Sequence, residues 1–189
     1  MLNVALKEWC IVCDLLLEGK LAIVLRKGGI SEPGGAGVFE LEHSRFALWP
    51  SWAHQKPDRI KEPHRDRVEV LDEPFEQTIT GIGETTKIWQ VPSRAAFDSL
   101  DDLHCWTKPQ IDMRFDYKPE KPLYLMAVRA WRLVEPKTVL SGPDYSGCRS
   151  WVPLADEDAV DDGLENLVPA MDDDTFNSIV DRVSLAMQG

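Results

Sequence analysis

The stretch L-Y-L-M-A-V-R-A-W-R-L, residues 123–133, alternates without a break. Leu123, Leu125, Ala127, Arg129 and Trp131 fall on one side, and Tyr124, Met126, Val128, Ala130 and Arg132 on the other. A two-residue period with apolar groups on both sides marks a strand covered on both faces, so it predicts the middle of a sheet. Arg129 is conspicuous there, because a charge on a covered strand needs a partner. That partner is either a carboxylate such as Glu8, or a ligand in a pocket where the Trp131 indole offers a stacking face.

Outward from this strand, Pro119 and Pro122 break the preceding helical signal. That signal covers Ala96, Phe97, Leu100 and Leu103 behind a Ser93 cap, with a second short helix over residues 108–115. Residues 78–91 are rich in threonine and β-branched side chains, with Gly81 and Gly83 as bulge or turn points, and read as a long bent strand or hairpin. Residues 68–71 suit a short edge strand. Residues 54–67 (HQKPDRIKEPHRDR) are a loop with five bases and three acids.

At the N-terminus, Leu2, Ala5, Leu6, Trp9, Val12, Cys13 and Leu16 recur at spacings of three and four, which predicts an amphipathic helix over residues 2–18 ended by Gly19. Residues 21–25 form an apolar strand ending at Arg26. Gly28, Gly29, Gly34, Gly35 and Gly37 predict a mobile connection. A further strand begins near Val38, with Phe39, Leu41 and His43 on one face, and a bulge or turn at Ser44-Arg45 shifts the pattern. Residues 141–154 read as a turn and an edge strand. The fold class is therefore mixed α+β: a mostly antiparallel, curled sheet flanked by helices, barrel-like, with an acidic C-terminal extension.

The chain has 189 residues, 43% of them hydrophobic, enough for one sizeable core. No apolar run approaches the roughly 18 residues of a membrane helix, and no secretory signal opens the chain, so a soluble cytoplasmic protein is expected. The net charge of −11 is uneven. Residues 155–189 hold ten acids and one base, leaving 22 acids and 20 bases in residues 1–154. The expected division is an α+β domain over residues 1–154 and, over residues 155–189, an acidic linker with an amphipathic helix (Phe176, Ile179, Val180, Val183, Met187) capped by Asp174. The near-neutral body admits a polyanionic ligand. The acidic segment acts as a solubiliser, a cover for the 54–67 loop or a contact for a basic protein partner. Cys10, Cys13, Cys105 and Cys148 lack the paired spacing of structural zinc and are expected reduced and packed, although Arg149 beside Cys148 would suit a reactive thiol.

The candidate site centres on residues 19–55. Arg26 and Lys27 at a strand end beside glycines suit a phosphate or carboxylate, with Ser51, Gln55 and Arg129 as further ligand-binding candidates. His43 and His54 are the candidate acid–base groups, against a structural role for both. Glu42, His43 and His54, with Glu8 or Asp58 as an added ligand, are the weak candidates for a metal, though Glu42 and His43 would face opposite sides of a regular strand. A nuclease of the PD-(D/E)XK type would use Pro57-Asp58 and Glu18-Gly19-Lys20, which stand in the wrong order.

The strings ALKEW (5–9), LRKGGI (25–30), EHSRFALWPSWAHQ (42–55), RFDYKPEKPLY (114–124) and GCRSWV (147–152) resemble a bacterial family known as domain of unknown function 1802, over roughly residues 4–154. Where that family has Phe-Pro-Thr before the His-Gln pair, this chain has Trp49-Pro50-Ser51. A second likeness is to the nucleic-acid-associated PUA and ASCH folds, whose ASCH branch carries Gly-x-Lys-x-x-Glu-x-Arg after a helix. Gly19 and Arg26 fit, whereas Leu21 and Val24 replace the lysine and glutamate. The first family carries over no activity, and the second likeness matches two of four pattern positions; on the residues themselves, the leading expectation is a cytoplasmic bacterial module that binds a phosphate-bearing or nucleic-acid ligand at Arg26, Lys27, His43, His54 and Gln55. The alternatives are a metal-dependent phosphodiester hydrolase and a protein-interaction module acting through its C-terminal helix. No cofactor is indicated.

Overall fold

The computed structural model of the chain describes residues 1–188. Its strands are β1 (Val4–Trp9), β2 (Ile23–Arg26), β3 (Arg45–Ser51), β4 (Glu76–Gln90), β5 (Tyr124–Leu140), β6 (Trp151–Pro153) and β7 (Leu167–Pro169). Its helices are α1 (Cys10–Leu17), α2 (Arg94–Asp98), α3 (Lys108–Asp116) and α4 (Asp173–Ala186). The strands form one curled half-barrel in the order β2-β5-β4-β3-β1-β6, with β7 beside β5. Every pairing is antiparallel except that of β1 with β3.

The sheet is organised around β5, as its alternation predicts. It pairs with β4 along most of both strands, and register shifts at Ile79/Gly81 and Thr85/Lys87 give β4 its expected bends. Side chains on the two faces feed two cores. Val4, Leu6, Phe46, Leu48 and Val128 meet α1 and the helices beyond it, whereas Ala5, Ala47, Trp49, Ile82 and Val152 form the second core on the other face. Each large side chain so buried contributes roughly 1.5–3 kcal/mol before conformational entropy is set against it.

The N-terminal helix is half a strand. Residues 4–9 are β1, held between β3 and β6, and only Cys10–Leu17 is helical. A strand covered on both faces carries apolar groups at every spacing, including three and four, so periodicity alone does not separate it from a buried helix. Gly19 ends α1 as expected, at φ 68°.

Residues 38–43 join no strand, and β3 starts at Arg45, just after the Ser44 carbonyl accepts from Thr85 N at 2.7 Å. Residues 68–71 form no strand. At one of the glycines after Arg26 close approach is required as well: a Cβ at Gly29 would collide with the Cys148 carbonyl oxygen, so glycine there permits two loops to touch.

After residue 155 the chain stays on the body. Leu2 and Val160 exchange backbone hydrogen bonds of 2.7 and 2.8 Å, and Phe176 and Val183 of α4 are buried. The cap of α4 is Asp172, which accepts from Thr175 N at 2.8 Å, two residues before the expected Asp174. Among the described residues, no ion pair or hydrogen bond joins the acids of this segment to the 54–67 loop. They meet the Met1 ammonium and Arg45 through Asp162, Tyr145 through Asp158, and Arg129 through Asp173. The apolar face of α4 is used internally, which leaves the expectation of a basic partner for this segment without support.

Among the described residues no helix is long and apolar enough to cross a membrane.

Candidate functional site, a cationic cleft

Parallel pairing places Trp9 opposite Ser51 at the shared ends of β1 and β3. Three strands separate β2 from β1 in the sheet order, yet the curl brings the end of β2 back over β1. Arg26 Nη1 thereby donates to the Lys7 carbonyl at 3.1 Å and to Glu8 Oε2 at 2.7 Å. Loops from residues 27–32, 52–54 and 141–150 close over this junction and leave a cavity of about 310 Å³.

Arg26 is the most constrained group in it. The residue is 8% exposed, its guanidinium lies 5.2 Å from the centre of the Phe39 ring, and Glu8 is equally buried. Glu8 is itself fixed by Trp9 N, which donates to Oε1 at 2.8 Å. Both recorded bonds of the guanidinium use Nη1, and Nε is buried with no partner. The Nε–Nη2 edge is the two-pronged side that matches a carboxylate or phosphate.

Five cations line the cavity, Lys7, Arg26, Lys27, Arg114 and Arg149, against three carboxylates, Glu8, Glu32 and Glu73. All three carboxylates are occupied. Glu8 holds Arg26; Glu32 accepts from Gly29 N at 2.8 Å and from Ser150 N and Oγ at 3.1 and 2.5 Å; Glu73 accepts from Ser51 Oγ, Ala53 N and Gln77 Nε2. The cations other than Arg26 have no carboxylate partner among the described residues. Lys7 donates to the Tyr145 and Gly147 carbonyls at 2.8 and 3.2 Å, Lys27 to the Arg114 carbonyl at 3.3 Å, and Arg149 to the Asp144 carbonyl. Burial lowers the affinity of both lysines for their protons, Lys7 against the pull of Glu73 and Lys27 against that of Glu120. An anion in the cavity would restore it.

The cleft brings together Arg26, Lys27, Ser51 and His54 from the sequence candidates. Others lie elsewhere. His43 is exposed, its ring edge-on to Trp151 at 5.3 Å, and Glu42 is exposed beside it. Gln55 is buried and does not line the cavity, accepting from Ile11 N at 3.5 Å and donating to the Glu69 carbonyl at 2.5 Å. Arg129 pairs with Asp173 and lies over Phe176, so its carboxylate is not Glu8, and Trp131 lies under Arg45. Among the described residues no three His, Cys, Asp or Glu side chains cluster as a metal site, so Glu42, His43 and His54 are not assembled into one. All four thiols are free, and Cys148 is an exposed wall of the cleft where a packed cysteine was expected.

Lys7, Trp9, Glu32, Glu73 and Arg114 were not among the sequence candidates, while Glu8 entered only as a partner for Arg129 or an added metal ligand and Arg149 only as the neighbour of Cys148. Those on β1 were hidden by the helical reading, and the rest arrive from loops whose meeting no local pattern announces.

Fold and site together define an α+β protein with a half-barrel sheet and a cationic cleft where its curl closes. The chain belongs to the family described as domain of unknown function (DUF1802), whose model matches residues 5–182. The match runs past residue 154 and takes in the acidic segment that the sequence resemblance left out. No curated protein matches the chain. In fold it is similar to the crystal structure of a point mutant of the ZmASCH protein from Zymomonas mobilis, at 10% sequence identity and a TM-score of 0.48, covering 82% of this chain and 89% of that one.

Proposed function

We propose that the cleft binds a small phosphate-bearing ligand of nucleotide size. Its anionic group lies against Arg26 and Lys27, its uncharged body rests on Trp9, Leu25 and Trp49, and His54 at the rim supplies a further donor. A nucleotide at the end of a nucleic acid presents the same groups. The observation that carries this reading is the unanswered charge: four cations without a carboxylate partner, in a half-enclosed cavity, beside an arginine whose Nε is buried without an acceptor. The cavity of about 310 Å³ falls in the range of small-molecule sites.

Titration of the full chain with uridine 5′-monophosphate, uridine and inorganic phosphate, followed by tryptophan fluorescence, tests it. The monophosphate is expected to bind at least about tenfold more tightly than uridine. Lys27→Met and Arg149→Ala should each weaken it by about tenfold or more, the scale of one charge-assisted hydrogen bond. Equal affinity for the nucleoside and its monophosphate, or variants that bind as the parent does, would refute the assignment.

A further inference from the structure

A second cavity of about 390 Å³ adjoins the first and shares Trp9, Ala53, His54 and Arg114 with it. His54 stands at the junction with a left-handed backbone, φ 63°, a conformation that a non-glycine residue keeps only where its surroundings impose it. The second cavity adds Lys56, Arg59, Gln110 and Met113. Its lining contains no carboxylate. Lys56 is exposed and unpaired among the described residues, and the ion pair of Arg59, 3.4 Å to Asp58, is with an exposed side chain outside the cavity.

Gln110 is the telling residue. It is 2% exposed, yet its carboxamide makes no hydrogen bond to the protein among the described residues, while its backbone N–H closes the first turn of α3. A buried carboxamide on a cavity wall offers one donor and one acceptor side by side, which is what the edge of a nucleobase presents in return. Trp9 and Met113 supply apolar faces for that base, and Lys56 and Arg59 supply charge for a second phosphate. Beyond Met113 the next depression is lined by Asp116 and by Asp112, which is paired with Arg94, and holds no cation in its lining.

We infer that the two cavities are successive subsites for the end of a single-stranded nucleic acid, the terminal phosphate-bearing nucleotide in the first and its neighbour in the second. This rests on the reading of the first cavity given above and extends it: the preferred ligand is an oligonucleotide end, and the next depression, with Asp116 and no cation in its lining, limits recognition to about two nucleotides. Stacking on side chains such as Trp9 is sequence-tolerant, so length matters more than base identity.

The experiment is a length series. Affinities of the full chain for 5′-phosphorylated oligouridylates of one, two, three and six residues are measured at low and moderate salt. The dinucleotide is expected to bind about tenfold or more tightly than the mononucleotide, with little further gain beyond two residues, and with a steeper salt dependence. Lys56→Glu combined with Arg59→Glu should abolish the gain and keep the mononucleotide affinity within about twofold. Lys56→Ala, at an exposed position that folding does not depend on, should lower the salt slope by about one. Equal affinity across the series with the mononucleotide still bound overturns the second subsite alone. Hexaglutamate or tripolyphosphate binding as tightly as the trinucleotide overturns a nucleobase in it. Failure of the underlying reading looks different, since the mononucleotide then does not bind.

Discussion

Arg26 and Arg129 each lie over a phenylalanine, 5.2 Å from the centre of Phe39 and 4.3 Å from that of Phe176, and each meets one carboxylate. At the cleft both side chains of the pair are below 10% exposed, while beneath α4 the arginine is 20% and Asp173 is 81% exposed. The same three groups therefore face different physics. Water has already screened the outer pair, and little is lost if it parts. The inner pair has surrendered its hydration, so each member depends on the other, and Arg26 Nε is a buried donor without an acceptor.

Removing one partner at the cleft gives the largest expected effect. Glu8→Ala strands a buried guanidinium and should lower the unfolding free energy by about 3–5 kcal/mol, measured by urea denaturation. Glu8→Ala with Arg26→Met should recover most of that, because a pair of neutral side chains has no desolvation to repay. If the single variant loses less than about 1 kcal/mol, the inner pair behaves like the outer one and the contrast fails.

His104 sharpens the contrast as a buried polar group without a hydrogen bond, its nearest carboxylate being Asp101, whose Oδ1 lies 3.7 Å from Nε2. Its ring is stacked between Phe97 and Trp106, at 4.8 and 5.6 Å, and both ring nitrogens lack hydrogen bonds. Burial, aided by the Lys61 charge and opposed by Asp101, Asp98 and Asp102, brings its pKa down to about 4. The folded value lies below the ordinary 6.5, so the unfolded chain takes up the proton first. Stability from this group is present above about pH 6.5 and falls as pH drops toward 4. Between pH 7 and 5 the loss should be about 2 kcal/mol. His104→Phe should flatten that slope; an unchanged acid limb would show that the imidazole finds a partner on protonation.

What the sequence disclosed follows the same division between local and assembled features. The alternation of residues 123–133 and the β-branched run at 78–91 are local, and both became the long central strands. Residues 4–9 were misread because a strand covered on both faces satisfies a helical spacing, and with them went Lys7, Glu8 and Trp9. A signal was available: Glu8 in one apolar run and Arg26 at the end of another are lone opposite charges that burial obliges to meet. Arg26, Lys27, Ser51 and His54 were legible since they sit on strand ends or just after them. Glu32, Glu73 and Arg149 were not, because three loops bring them in and only the curl of the sheet makes those loops neighbours.

The smallest effect is expected at the outer pair. Asp173→Asn removes a carboxylate from the first turn of α4 but keeps its shape, and Phe176 stays buried beneath Arg129 at 3% exposure. The ion pair and the helix dipole together should account for about 1 kcal/mol or less, and for still less at 1 M salt, where the screening length is about 3 Å. Hydrogen exchange of α4 amides is the suitable measure, because a loosened terminal helix opens locally before the global melt responds. Protection factors within about fivefold of the parent, converging as salt rises, fit a helix held by the Phe176 and Val183 side chains rather than by charge. A hundredfold loss of protection that salt does not moderate would mean that Arg129 relies on Asp173 as Arg26 does on Glu8, and that exposure is not what separates the two sites.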